Sequence, residues 1–237
     1  MQLLRSWIFV GLFYGWTVFC LLTIWPMLLW SQDWGRSFVN GWSKGILALL
    51  RWIVGIKYEV RGIENLPGTA CLIAAKHHSA WEIFTLLLFV PNGSFVMKRE
   101  LIAIPLFGWY ALRLGMIPVE RDKGAAALRR ITELAEREVT AGHPIIIFPE
   151  GTRRPVGAEP DYKSGIAHFY KRFNLPCVPV GLNSGLHWVN GATLKRPGTI
   201  VVSFLPVIEA GMRPKAFLSR MQEAIEAETA KLVAEDV

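Results

Sequence analysis

Apolar and polar positions follow two different rules along the chain, and the change falls near Lys57. Ahead of it, Ser6 to Trp30 is a run of 25 consecutive uncharged residues, SWIFVGLFYGWTVFCLLTIWPMLLW. As one helix it would extend about 37 Å, enough for an apolar bilayer core of roughly 30 Å. It is too long for the apolar part of a signal peptide and lacks a small-x-small cleavage site. Pro26 predicts a kink near its end. A second apolar stretch, Phe38 to Ile56, carries Lys44 and Arg51 seven residues apart and so on one helical face. That pattern predicts a helix lying in a membrane interface, with Trp42 and Trp52 at headgroup depth. One span followed by a surface helix, a re-entrant hairpin and a buried soluble helix all remain open. Only Arg5 and the amino terminus precede the first run, whereas Arg36, Lys44, Arg51 and Lys57 follow it. The positive-inside bias then puts the rest of the chain on the cytoplasmic side of an inner membrane. Residues 1–56 are thus expected to be a membrane-anchoring helical segment.

After residue 57 the pattern becomes short β-rich runs alternating with helical stretches. ACLIAA (70–75), SFVMK (94–98), IIIFP (145–149), CVPVGL (177–182) and TIVVSFL (199–205) read as strands. Residues 80–90, 101–114, 124–140, 165–173 and 213–233 read as helices. In the 124–140 segment Leu128, Ile131, Leu134 and Val139 form an apolar stripe opposite Arg129, Arg130, Glu133, Glu136 and Arg137. Strand–helix alternation predicts an α/β domain over 57–237, with a mixed, largely parallel sheet flanked by helices.

Composition sharpens the choice of partner. The chain is 52% hydrophobic with ten tryptophans, and its mean hydropathy is +0.31. Tryptophan favours boundaries between apolar and wet surroundings. A net charge of +7 suits an anionic partner: a membrane surface, a phosphate ester or a nucleic acid. Nucleic acid fits poorly, because the charge is scattered and no aromatic-interleaved basic motif is present. Cys20, Cys71 and Cys177 are odd in number, lie in apolar segments and lack metal spacing, which predicts reduced, buried thiols.

The chemistry gathers in AAKHHSAWEI, residues 74–83. Ligands of α/β sheets bind beyond the carboxyl ends of strands, and His77 sits there, just before a helix that Ser79 would cap. Glu82 follows His77 by five residues, and a bend at Ser79 can bring the two together. A carboxylate on one imidazole nitrogen fixes the tautomer and leaves the other as a base near neutral pH. Ser79-Ala80-Trp81-Glu82 also fits a capping box, which would make Glu82 a helix-start residue only. His78 is read as a bystander. No further Cys or His pair supplies a metal ligand set, and Ser79 lacks the G-x-S-x-G setting of a nucleophile.

Three more segments lie at strand ends. In FPEGTR (148–153), Gly151 permits a tight turn, so that backbone amides and Arg153 can converge on an anion; a glycine turn with a solvated arginine is the alternative. KREL (98–101) is a basic cluster followed by IPLFG (104–108). VPVGLN (178–183) is a buried strand whose proline suggests an edge position.

In this order and spacing the four segments resemble the membrane-associated glycerolipid acyltransferase family, and within it the lysophosphatidate acyltransferases, over roughly residues 57 to 210. The family's first block is a His, four residues and an acid, commonly Asp; here it is His77 and Glu82, and Lys76 stands where Asn is frequent. The resemblance implies transfer of a fatty acyl group from acyl-CoA or acyl carrier protein to the sn-2 hydroxyl of lysophosphatidate. His77 would be the general base and Glu82 its partner, with no acyl-enzyme, no metal and no cofactor. Lys98, Arg99, Arg121 and Arg153 are the expected phosphate ligands, with Glu150, Gly151 and Thr152 shaping the substrate pocket. The Gly151 or Thr152 amide is expected to stabilise the oxyanion. Basic residues would meet an anionic membrane surface. Another lysolipid acceptor, such as a lyso-ornithine lipid, is the nearest rival; an acyl-thioester hydrolase and a non-catalytic lipid binder stand further off.

Overall fold

The apolar runs after residue 55 assemble into one sheet, with strand order β1-β7-β6-β2-β5-β3-β4 among the described residues. The computed structural model describes residues 1–28, 32–120 and 124–236. The strands are β1 (Ile56–Arg61), β2 (Leu72–Ala75), β3 (Ser94–Lys98), β4 (Ile117–Val119), β5 (Ile145–Ile147), β6 (Cys177–Leu182) and β7 (Gly198–Phe204). Neighbours pair in parallel except β6 and β7, so β1 and β7 run against the other five. The expected mixed, largely parallel sheet is therefore present. β2, β5 and β6 are buried along their whole lengths, which is why their sequences are continuous apolar runs rather than alternating ones.

Helices cover both faces. α3 (Trp81–Phe89) and the amino-terminal helices pack on one face around Phe84, Ile146 and Val180. α5 (Gly124–Thr140), α6 (Gly165–Phe173) and α8 (Pro214–Glu235) cover the other around Ile131, Phe169 and Met221. Two strands escaped the sequence reading. β1 is IKYEVR, an edge strand whose exposed Lys57 and Glu59 mask its apolar pattern, and β4 is only three residues long. The helix expected over 101–114 is broken into a 3-10 turn, Arg99–Ala103, and α4 (Phe107–Arg113). Pro105 and the left-handed Leu106, at φ +63°, interrupt it. The strand expected at an edge, β6, lies inside the sheet. Its Pro179 still accepts the Leu205 N–H (2.9 Å) and sits one residue before the β6–β7 ladder begins at Val180, so the missing donor interrupts no paired stretch.

The helices ahead of β1 fold as a hairpin. α1 (Gln2–Leu28) continues through Pro26, and α2 (Gln32–Leu49) returns beside it, followed by a π-helical turn, Leu50–Val54. Trp16 Nε1 donates to the Trp42 carbonyl and Trp42 Nε1 to Thr17 Oγ1, each at 3.1 Å. Trp42 is thus a hairpin residue, set edge-on to Phe84, rather than a headgroup anchor. Trp52 is the exposed one, at 82%. The Gln2 amide donates to the carbonyls of Val54 (3.2 Å) and Lys195 (3.0 Å), and Ser6 Oγ accepts the Lys195 N–H (2.9 Å). Both ends of the hairpin therefore sit on the domain, so α1 does not carry the amino terminus away from it. α1 and α2 thus pack against each other and against the domain. Residues 2–23 of α1 are long and apolar enough to cross a membrane, and Leu4, Trp7, Tyr14 and Leu22 point outward.

Gly45 is the closest approach of the two helices: a Cβ there would lie 2.5 Å from Trp16 Nε1, whereas Gly41 faces open space. Gly45→Leu is expected to destabilise the hairpin by about 1–3 kcal/mol through overpacking, lowering the thermal midpoint in detergent. Gly41→Leu should leave it unchanged or raised, since leucine is the better helix former.

Candidate active site

β2 ends at Ala75, and the chain bends through residues 76–80 before α3 begins. The bend is buried, with Ser79 and Glu82 fully removed from water. A buried carboxylate requires donors, and the bend supplies them. Glu82 Oε1 accepts the His78 N–H (3.1 Å) and the Ser79 N–H (3.0 Å), and Oε2 accepts Ser79 Oγ (3.1 Å). A further donor is the Ser184 hydroxyl, at the start of the short helix α7 (Ser184–His187) after β6. Ser79 Oγ in turn accepts the Trp81 N–H (3.1 Å). The carboxylate that closes the start of α3 thus also lies beside the His77 ring.

His77 Nδ1 lies 3.8 Å from Glu82 Oε2, within ion-pair range but beyond a hydrogen bond. Nδ1 has no hydrogen-bond partner among the described residues, so the expected bond is a proximity here. The ring is instead held by Phe148, stacked at 3.9 Å and 12°. Burial works to raise the pKa of Glu82, but the neighbouring His77 and the Ser184 hydroxyl outweigh it and hold the carboxyl below its ordinary value. His78 is different. Burial pushes it down to about 4, so it is neutral and buried at pH 7, in keeping with a bystander.

The turn after β5 meets the same bend. Gly151 takes a left-handed φ of +69° and donates its N–H to the Phe148 carbonyl (2.9 Å), which removes that amide as an oxyanion donor. Glu150 is buried, and both its oxygens are engaged: Oε1 accepts Lys76 Nζ (2.8 Å) and Oε2 accepts the His77 N–H (3.0 Å). Its carboxylate ties two loops together at the cavity wall, which Glu150 lines with Gly151 and Thr152. Arg154 N–H returns a bond to the His77 carbonyl (2.8 Å).

A cavity of about 1010 Å³ runs past His77. Its wall includes apolar side chains, among them Cys20, Leu21 and Trp42 of the hairpin with Leu87 and Tyr110, and the cations Lys98, Arg153 and Lys163 together with the carboxylates Glu150 and Asp161. Arg153 Nη1 reaches Asn190 Oδ1 at 3.3 Å. Lys98 lies 3.3 Å from Glu100. Arg99 does not line the cavity; it pairs with Glu120 and leaves the expected cationic group. Arg121 lies outside the described residues. The sequence reading missed Ser184, although it directly follows VPVGLN, and it missed the hairpin as a cavity wall. The three cysteines are free and buried, and burial pushes the Cys71 thiol up to about 12.

Residues 57–183 match the acyltransferase family model, a span that contains the bend at His77 and the turn at Gly151 and ends at Asn183. The 1-acyl-sn-glycerol-3-phosphate acyltransferase of Pseudomonas aeruginosa is 38% identical over 197 residues, covering 82% of this chain and 77% of that protein. The protein of the same name from Cocos nucifera is 32% identical over 164 residues, 68% of this chain and 53% of its own length. The crystal structure of the 1-acyl-sn-glycerophosphate acyltransferase PlsC from Thermotoga maritima has a TM-score of 0.81 over 98% of both chains at 22% identity, a likeness of fold that extends through the hairpin. With its strand-end loops inside the family match and the Pseudomonas relative aligned along 82% of its length, the chain belongs to the acyltransferase family.

Proposed function

We propose that the chain transfers a fatty acyl group from acyl-CoA or acyl carrier protein to the sn-2 hydroxyl of lysophosphatidate, giving phosphatidate. The observation that carries this reading is His77 in the wall of a cavity whose lining divides between apolar side chains and the cations Lys98, Arg153 and Lys163. A lysolipid has that same division, an acyl chain and a phosphate bearing about −1.5 to −2 charges near neutrality. Arg153 and Lys98 take the phosphate, the apolar lining takes acyl chain, and the free hydroxyl falls between them at the imidazole.

His77 Nε2 accepts the hydroxyl proton as the oxygen attacks the thioester carbonyl. Glu82, kept ionised by its donors, faces Nδ1 of the imidazolium, and the pair closes from 3.8 Å as charge develops. The Thr152 amide, left after Gly151 is spent, stabilises the oxyanion. The tetrahedral intermediate collapses with loss of the C–S bond, and the departing thiolate takes the proton back from His77. Direct transfer without an acyl-enzyme is supported by Ser79, whose hydroxyl is fully buried against Glu82. The outward apolar face of α1 supports membrane association of residues 1–56. The exposed Lys44, Arg51 and Lys57 near the domain suit the cytoplasmic face of an inner membrane.

Purified enzyme assayed across a panel of acceptors should prefer lysophosphatidate to glycerol 3-phosphate and lyso-ornithine lipid; no lysophosphatidate turnover would remove the reading. His77→Ala should lower kcat about 10²- to 10⁴-fold without a comparable change in thermal midpoint. Arg153→Ala should raise KM for the acceptor by at least about tenfold, the loss of one charged bidentate contact, and leave the donor KM nearly unchanged; equal effects would assign it to the donor. The depressed carboxyl of Glu82 contributes stability above its unfolded pKa, about 4.3, and that contribution disappears as pH falls through the lower folded value. Glu82→Gln should therefore flatten the acid limb of the stability–pH curve measured by chemical denaturation.

A further inference from the structure

Beside the His77 bend lies a second buried cluster that the acyl-transfer chemistry does not use. Lys76 is 2% exposed. Its ammonium donates to Glu150 Oε1 at 2.8 Å and to Glu226 Oε1 at 2.6 Å, and it lies 5.8 Å from the centre of the Tyr162 ring. The Tyr162 hydroxyl donates to the same Glu226 oxygen at 2.7 Å. The four residues come from four places: the β2–α3 bend, the turn after β5, the loop before α6, and the middle of α8.

Stability alone is a poor reason for such a cluster. A buried ion pair recovers its desolvation cost only with good geometry, and apolar replacements of similar volume are often as stable. What it does fix is position. Glu150 has two oxygens with two tasks: one holds the His77 N–H at 3.0 Å and the other is held by Lys76. Arg154 N–H closes the reverse contact on the His77 carbonyl at 2.8 Å. The peptide of His77 is therefore clamped from both sides by the turn that carries Arg153. Glu150 can clamp only while its charge is matched, and the matching cation is Lys76. Tyr162 extends the same frame to the cavity mouth, where Lys163 N–H donates to the Pro149 carbonyl at 2.8 Å.

We propose that Lys76 is a positioning residue for acyl transfer and that Glu226 of α8 acts through it. The chain Glu226–Lys76–Glu150 sets the spacing between the base at His77 and the phosphate-binding turn at Arg153. This rests on the acyltransferase reading given above. It also assigns α8, which contributes no residue to the cavity wall, a part in catalysis.

The test uses the full-length enzyme in detergent with lysophosphatidate and acyl-CoA, well below each variant's thermal midpoint. Lys76→Met is expected to lower kcat/KM for the acceptor about tenfold or more, with kcat and acceptor KM both affected and donor KM steady, as loss of transition-state alignment requires. Glu226→Gln keeps the Lys76–Glu150 pair and should lose about threefold in the same ratio. Lys76→Met with Glu150→Gln removes both charges but leaves an acceptor for the His77 N–H. Its loss should be clearly smaller than the product of the two single losses. A Lys76→Met enzyme with a lower thermal midpoint but wild-type kcat and KM would overturn the inference and leave the acyltransferase reading intact. If Lys76→Met does not fold, a Glu226→Gln enzyme indistinguishable from wild type would overturn the part of α8. A wild-type protein without lysophosphatidate turnover would instead defeat the underlying function.

Discussion

The structure turns on a carboxylate sealed from water. Glu82 cannot remain charged in the interior unless donors surround it, and its donors come from separate parts of the chain: the bend after β2 and the end of β6. Satisfying that one group fixes the start of α3, brings Ser184 against the bend and leaves an ionised oxygen beside His77. The start of α3, the packing of two buried strand ends and the placement of a carboxylate beside His77 are one arrangement seen from three sides.

The sheet explains where that arrangement lies. β2 is central, flanked by β5 and β6, so the loops leaving all three open at the same end of parallel strands. The loop after β2 carries His77, the one after β5 carries Arg153 and the one after β6 carries Ser184. The hairpin then closes one side of the crevice with Cys20, Leu21 and Trp42, converting an open strand-end groove into a long cavity. A soluble α/β domain offers a cationic pocket readily; part of the apolar lining needed an added element.

The legible parts were those decided locally. Buried strands read as continuous apolar runs, α5 and α6 carried clear helical periodicity, and His77, Glu82 and Arg153 sit at strand ends where turn chemistry is visible in the chain. Features set by distant partners were hidden. Arg99 looked available until Glu120 was seen beside it, and nothing in the chain near Glu150 shows that this cavity-lining carboxylate is also held by Lys76 and the His77 amide. Trp42 carries the composition of a headgroup anchor, but its indole is spent on Thr17 and Phe84. β1 shows the same effect: its alternation is blurred by charge because only β7 defines its place.

The docking of α1 also has an order in time. Its seat has an early part at Val54, 52 positions from Gln2, and a late part at Lys195, 193 positions away. At about 5–20 residues per second a ribosome needs about 10–40 s to cover that interval. Through that interval Phe9, which packs with Ile46 and Leu50, lacks its edge-on partner Trp188. The side of α1 that packs on α2 is therefore complete well before the side that meets Trp188 and Lys195, so one helix is seated in two stages.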